Sequence, residues 1–408
     1  MSETAHWTEV RARVKDFIET KVYPLEKGFD RDDPQSVAAL KAVQDEAKAA
    51  SLWALGHPKE IGGQGMPFMD YVHVNEVIGR SHLGSQALGA YTLQDSIMLN
   101  LYASPEWRDQ YLAPLVAGEF HPSFAMTEPD VASSDPTGLQ TTAVLDGNHW
   151  VINGHKWFTS GANRAKFTTV MVRTEPDAPD HKAFSTIIVP TDTPGYNIVR
   201  DIKVMGHVGG HCEVVYDNVR VPATNMLGAR GEGFQVAQER LGPGRIFHCM
   251  RWLGQAQRAF DLMCERLNAR DVGDGRLADK QLMQQFVFES AVEIQQSRLM
   301  TLDAARKMDQ GDQARVEISL IKVSGARMLH NVIDRAIQAF GARGVADDEP
   351  LEFMYRMARF ARLVDGADEV HIQRTGRRIL RAYAKGEGWD FGEREGQVLD
   401  VSRRAAAE

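Results

Sequence analysis

Trp150-Val151-Ile152-Asn153-Gly154-His155-Lys156-Trp157-Phe158 is a β-branched and aromatic run in a chain whose flanks follow helical spacing. It divides the molecule. Asn153-Gly154 at its centre is a strong two-residue hairpin signal, because both residues tolerate positive φ, so a turn is expected there. Residues 168–172, 185–189 and 213–216 have the same character and predict further strands of a small antiparallel sheet or barrel.

Upstream, Val10, Val14, Phe17 and Ile18, and later Val37, Leu40, Val43 and Ala47, recur at helical intervals. The Pro- and Gly-rich stretch from His57 to Gly65 reads as a loop, and a helical pattern resumes over 68–80. Downstream of Gly228-Ala229-Arg230-Gly231-Glu232-Gly233, helical patterns return and continue to about Lys385, with interruptions at 273–275 and 341–344. Gly242-Pro243-Gly244 reads as a break in the first of them. The order helix, strand, helix predicts an α+β multidomain chain. Its parts are an all-α N-terminal domain (1–122), a middle β-sheet or barrel domain (123–233) and a C-terminal helical bundle (234–408).

At 408 residues, two or three domains of roughly 100–200 residues are expected. Charged residues at 25% and hydrophobic ones at 43% describe a soluble globular protein. A formal charge of -8 without a long basic run disfavours nucleic acid and anionic lipid as partners. Cys212, Cys249 and Cys264 are too dispersed for a zinc pattern, and their odd number argues for a reducing compartment rather than a disulfide framework. The N-terminus carries Glu3 and lacks the apolar core of a signal peptide, and no apolar run spans a bilayer, so a cytoplasmic location is expected.

Several short motifs carry chemistry. In Thr127-Glu128-Pro129 and Ala132-Ser133-Ser134-Asp135, small residues let backbone N–H groups approach an anionic ring or phosphate, although a capped polar loop would read the same. Trp157, among Lys156 to Gly161, could stack on a planar cofactor beside hydroxyl groups, or anchor a core. Ser160 lacks the G-x-S-x-G of a hydrolase elbow. Arg245 offers a bidentate fork for phosphate or carboxylate, or is a plain surface cation. His207 and His211 are four apart in a Gly-rich segment that does not suit a helix, which argues against a zinc pair. Near the end, Val364-Asp365-Gly366-Ala367-Asp368-Glu369-Val370-His371 puts a carboxylate on a Gly-broken turn; alone, Asp365 would pass for a helix cap.

Taken in order and spacing, several motifs resemble the acyl-CoA dehydrogenase family. They are Phe124-Ala125-Met126-Thr127-Glu128-Pro129, the run from Asn153 to Gly161, Asp217-Asn218-Val219-Arg220-Val221-Pro222 with Leu227-Gly228, the run from Gln338 to Gly344, and the Asp365 turn. Val131-Ala132-Ser133-Ser134-Asp135 and the ending at His371 are most similar to the subgroup of human family members ten and eleven. The resemblance implies a helical N-terminal domain, a middle β domain and a C-terminal four-helix domain, with noncovalent FAD in the cleft between them and a homodimer or homotetramer. It implies that Phe124, Met126, Thr127, Ser133 and Ser134 contact the isoalloxazine, with Trp157, Thr159 and Ser160 on the other side. Arg270, Gln338, Gly341 and Ala342 would reach the FAD of a neighbouring subunit, and Ala367 and Glu369 the local one. Arg245 falls near the adenosine phosphate of CoA and Ser134 near the thioester chain, with Gly242 and Gly366 completing the substrate set. Where the family pattern has Tyr before its base and Thr-Ser-Gln after the glycine, this chain has Val364 and Ala367-Asp368-Glu369.

The implied reaction takes a proton from the carbon α to an acyl-CoA thioester while hydride leaves the β carbon for the flavin, giving a 2-enoyl-CoA. Electrons then pass to an electron-transfer flavoprotein. A carboxylate suits the base role because burial raises its pKa toward the operating pH. Asp365 is assigned that role, where most members carry Glu. Some members place the base one residue before the arginine matching Arg245, which here is Gly244. Aspartate is one methylene shorter, about 1.5 Å, so either the turn moves inward or the substrate sits deeper. Two other readings of the scaffold are a flavin oxidase like nitroalkane oxidase, a relative with an Asp base, and a noncatalytic DNA-associated protein, which the charge of -8 weakens.

Overall fold

Helical spacing in the first seventeen residues becomes a buried stripe: Val10, Val14 and Phe17 line one side of α1 (Glu3–Phe17). The computed structural model describes residues 3–391, which group into two units. One unit takes the chain up to Leu52, Pro67–Leu88 and everything from Gly242 onward; the other takes Trp53–Met66 and Gly89–Leu241.

The first unit is helical. α2 (Pro34–Ala49) opens on Asp33, whose side chain accepts from the Ser36 amide, with Pro34 at its first position. α3 (Phe68–Ile78) buries Tyr71, Val74, Asn75 and Ile78. In the second unit, α4 (Leu93–Tyr102) precedes the strands. α5 (Gly233–Ala269) begins in the second unit and continues in the first. α6 (Gln281–Asp309), α7 (Arg315–Phe340), α8 (Leu351–Ala361) and α9 (Asp368–Ala384) complete the first unit. α7 buries Ile318, Ile321, Gly325, Leu329, Val332 and Ala336, the spacing of a helix packed along its length.

The expected break at Gly242-Pro243-Gly244 does not occur, because α5 runs through Pro243. Proline's fixed φ matches the helix, and one lost hydrogen bond is outweighed by burial on both sides, of Val236 and Ala237 before it and Ile246 and Phe247 after it.

The second unit carries an eight-stranded sheet. Its strands are β1 (His121–Ala125), β2 (Thr142–Asp146), β3 (His149–Ser160), β4 (Ala165–Arg173), β5 (Phe184–Pro190), β6 (Tyr196–Val204), β7 (His207–Pro222) and β8 (Met226–Leu227). The order is β6-β7-β3-β2-β4-β5-β8, with β1 pairing β4 in parallel. Trp150, Ile152, Val170, Ile187, Val189, Val214, Tyr216 and Val221 form its core.

Here a second expectation fails. Asn153-Gly154 makes no hairpin, since β3 continues through it and the register against β7 shifts between Ile152 and Gly154. The glycine answers to close approach: a Cβ there would lie 2.4 Å from Thr141 Oγ1. The hairpin is one turn earlier, between the antiparallel β2 and β3, where Gly147 has φ 60. Asp146-Gly147 carries a turn signal as good as Asn153-Gly154. β7 offers β3 a partner on both sides of Gly154, so extension beats reversal.

Candidate active site

Between α8 and α9 the chain turns through two consecutive left-handed residues, Asp365 at φ 52 and Gly366 at φ 100. Aspartate is among the side chains that tolerate this region, and glycine has no steric objection to it. The turn is held from two helices. Arg245 of α5 donates to the Asp365 carbonyl through Nε at 3.3 Å and Nη2 at 3.2 Å. His371 of α9 places Nε2 3.1 Å from the same oxygen, and its Nδ1 lies 3.3 Å from Ser319 Oγ. Burial pushes the His371 pKa down to about 4, so the ring is neutral near pH 7. A carbonyl only accepts, so its one N–H sits on Nε2 and points at Asp365.

The Asp365 carboxylate is presented from this pinned turn with its side chain 26% exposed. Oδ2 lies 3.2 Å from His248 Nε2, and His248 Nδ1 lies 3.1 Å from Arg251 Nη2. Cations on two helices act on this carboxylate: Arg245 and Arg251 from α5 and Lys322 from α7. Burial lowers the pKa of all three, against the pull of Asp365. Behind the turn, Asp368 at the start of α9 is buried among Arg362 Nε at 2.9 Å, Arg327 Nε at 3.4 Å and Lys322 Nζ at 3.7 Å. The result is a carboxylate on a backbone held from two helices, in a positive field that favours its ionised form, the state a proton acceptor must hold before transfer.

In the second unit, Met126, Thr127 and Glu128 follow β1 and are tied to β3. Thr127 Oγ1 donates to the Trp157 carbonyl at 2.8 Å, and the Trp157 amide returns a bond to the Thr127 carbonyl at 3.0 Å. Lys156 Nζ, fully buried, donates to the Met126 carbonyl at 2.8 Å and to Glu128 at 2.9 Å. Burial brings the Lys156 pKa down to about 8, with Glu128 opposing the shift. Glu128 moves below its ordinary value because Lys156 and the amides of Gln140 and Thr141 outweigh the cost of burial. Both are ionised at pH 7.

Phe124 lies 4.8 Å beneath the Arg240 guanidinium, which forks onto Asp95. Trp157 and Phe158 meet edge to face at 5.1 Å, both half-buried, and Ser160 Oγ is 2.8 Å from His211 Nδ1. Ser133 and Ser134 sit exposed on a turn. Thr159 Oγ1 is buried without a hydrogen-bond partner. A buried donor left orphaned beside a half-buried indole fits the edge and face of a planar, polar ring system.

The sequence-derived set therefore falls into groups. Asp365, Gly366, Ala367 and Arg245 come together, with Ala367 capping α9 and Glu369 exposed in its first turn. Phe124, Met126, Thr127, Trp157, Thr159 and Ser160 share the β1–β3 wall. Gly242 lies within α5, one turn before Arg245. Arg270 is exposed just past the end of α5, about 37 Å along the helix axis from Arg245. Gln338, Gly341 and Ala342 are exposed at the far end of α7, so these four do not serve the Asp365 turn. Sequence reading missed His248, Arg251, Lys322 and His371. His248 stands three residues after Arg245, a helical neighbour, and that spacing was the available signal.

Family models match the chain in three consecutive pieces: the acyl-CoA dehydrogenase N-terminal domain over residues 4–119, the middle domain over 123–219 and the C-terminal domain over 231–380. A Mycobacterium tuberculosis protein described as "Probable acyl-CoA dehydrogenase FadE2" is 41% identical over 388 residues, covering 91% of this chain and 95% of that one. Human acyl-CoA dehydrogenase family member 11 is 38% identical over 403 residues; 94% of this chain matches 51% of that protein, so the chain spans about half its length. Among solved structures, acyl-CoA dehydrogenase from Geobacillus kaustophilus superposes with a TM-score of 0.82 at 26% identity, covering 93% of this chain and 98% of that one.

Proposed function

The chain belongs to the acyl-CoA dehydrogenase family, and from that premise we propose that it desaturates an acyl-CoA thioester between Cα and Cβ, with Asp365 as the base. The observation that carries this reading is the Asp365 carboxylate on its pinned left-handed turn. Arg245 and His371 both hold the Asp365 carbonyl, which favours a turn that stays in place and a substrate whose α-carbon comes to the carboxylate. Asp365 receives the α-proton within the field of Arg245, Arg251 and Lys322, which favours the ionised acceptor before transfer.

Thr159, Trp157, Thr127, Met126 and Phe124, with Ser160, Ser133 and Ser134, are the residues that would hold FAD. A bound FAD supplies the hydride acceptor, and an electron-transfer flavoprotein is the proposed destination of the electrons. Arg270, Gln338, Gly341 and Ala342 would serve the FAD of a second copy, in keeping with their exposure at helix ends. A homodimer or homotetramer fits Leu282 and Phe288, each 69% exposed on α6, and Leu380, 69% exposed on α9. Among the described residues no helix is long and apolar enough to cross a membrane, and the proposed location is the cytoplasm.

The test is anaerobic titration of the purified flavoprotein with a panel of CoA thioesters. One or more should bleach the flavin absorbance, and Asp365→Asn should abolish bleaching, a loss of at least about 10²-fold. Unchanged bleaching in that variant would sink the assignment. The aspartate base also suits an oxidase reading; peroxide formed from a nitroalkane, with no bleaching by any CoA thioester, would establish it instead.

A further inference from the structure

We propose that the helical unit carries a further binding site, a cavity between α6, α7 and α9 that takes a small amphipathic carboxylate. The proposal stands apart from the role given to Asp365, so its failure would leave that reading untouched.

The cavity has a volume of about 500 Å³, within the range of small-molecule pockets, roughly 300–1,000 Å³. Met300 of α6, Leu320, Val323 and Met328 of α7, and Ile372 of α9 form its apolar wall. Such a wall suits a hydrocarbon chain, and the two thioethers adapt to its shape. The polar part of the lining is incomplete. Ser324 of α7 and Thr375 of α9 both line the cavity, and the hydroxyl of each is buried without a hydrogen-bond partner. Thr375 is only 8% exposed, so bulk water does not serve it. A helical serine or threonine can return its proton to the carbonyl one turn back, as Thr301 of α6 does to Ser297 at 2.7 Å. Ser324 and Thr375 do not, so each keeps a donor in reserve, and a single torsion, χ1, turns it toward an occupant.

Charge decides the sign of the occupant. Glu293 is the acid of the lining, and its oxygens are taken by Arg335 Nη2 at 2.7 Å and Asn331 Nδ2 at 3.2 Å. Arg327 is the cation of the lining; its side chain is 50% exposed, and among the described residues it bonds Asp368 through Nε alone, at 3.4 Å. Asp368 is shared with Arg362 and Lys322, so one carboxylate answers three cations. Even with Asp365 set against Lys322, a positive charge is left over. His371, the remaining ionisable group of the wall, is neutral near pH 7. A carboxylate head would therefore meet the unspent side of a guanidinium fork and two hydroxyl donors, while its chain lies against the methionines.

The experiment titrates the purified FAD-loaded protein with hexanoate and follows the ¹³C-labelled methyl signals of its methionines by NMR. The Met300 and Met328 signals, assigned through Met300→Leu and Met328→Leu, should shift together and saturate, with a dissociation constant of about 1 mM or below. Hexanol, with the same chain and no carboxylate, should bind at least about tenfold more weakly. Thr375→Val should weaken hexanoate about 3- to 10-fold. Arg327→Gln should weaken it by at least about tenfold and leave hexanol unchanged. Shifts confined to other methionines would put hexanoate elsewhere and overturn the proposal, as would no shift at all. Equal affinity for hexanoate and hexanol would overturn it too, since the cavity would then select chain and not charge. Should the Thr375 and Arg327 variants fold poorly, the comparison of hexanoate with hexanol on the wild-type protein decides alone.

Discussion

Gly366 shows how little freedom the base turn has. Its φ of 100 lies where side chains are strained, and a Cβ there would stand 2.8 Å from His371 Nε2, the atom that donates to the Asp365 carbonyl. Gly366→Ala should therefore do two things at once. Strain costs about 1–3 kcal/mol, and the displaced imidazole loosens the carbonyl that Arg245 also holds. A lowered melting temperature together with slowed α-hydrogen exchange is the expected pair of results; a variant that melts and exchanges like the wild type would show that the turn is not pinned as described. The carboxylate was legible in sequence because a glycine follows it and ordered motifs precede it. His248 and Arg251 were not, because their roles depend on which face of α5 meets a turn about 120 residues later. No local pattern encodes that encounter.

At the scale of elements, the crossing of α3 and α5 positions Arg251 and depends on two glycines. A Cβ on Gly79 would lie 2.2 Å from the Arg251 Cα, and one on Gly254 would lie 1.9 Å from the Glu76 carbonyl. In an exposed helix, replacing an interior glycine by alanine gains about 0.5–1 kcal/mol. Here the sign reverses, because backbone blocks the added methyl: Gly254→Ala should destabilise by about 1–3 kcal/mol, measured by urea unfolding. A stabilised Gly254→Ala would mean that the helices stand further apart. Helices and strands announced themselves by period, so 68–80 and 168–172 read correctly as α3 and β4. What went wrong was punctuation. Asn153-Gly154 and Gly242-Pro243-Gly244 look like breaks, and tertiary partners, β7 for the first and buried flanks for the second, carry the chain straight through.

For the whole molecule, the order helix, strand, helix was visible, but the excursion of Trp53–Met66 into the unit of the sheet was not. Trp53 ties it there through partners distant in sequence: its indole donates to the Val116 carbonyl at 2.9 Å, and its ring lies against Gly89 and Gly118. His57, in the same excursion, is fully buried with Nε2 3.1 Å from Thr92 Oγ1, and burial pushes its pKa down to about 4. His371 in the other unit is likewise depressed to about 4. Both start from an ordinary value of 6.5 when unfolded. Between pH 6.5 and about 4, then, the unfolded chain binds two protons that the folded chain refuses, and stability falls as pH falls through that window. Each ring contributes at most about 3 kcal/mol. Glu26 and Glu128, both held below the ordinary carboxylate value, lose their stabilising charge at still lower pH, so they extend the decline without starting it. Urea midpoints should therefore drop between about pH 7 and 5 in the wild type, and the drop should shrink in the double variant His57→Gln, His371→Gln. An equal drop in both proteins would place the acid sensitivity elsewhere than in these two buried rings.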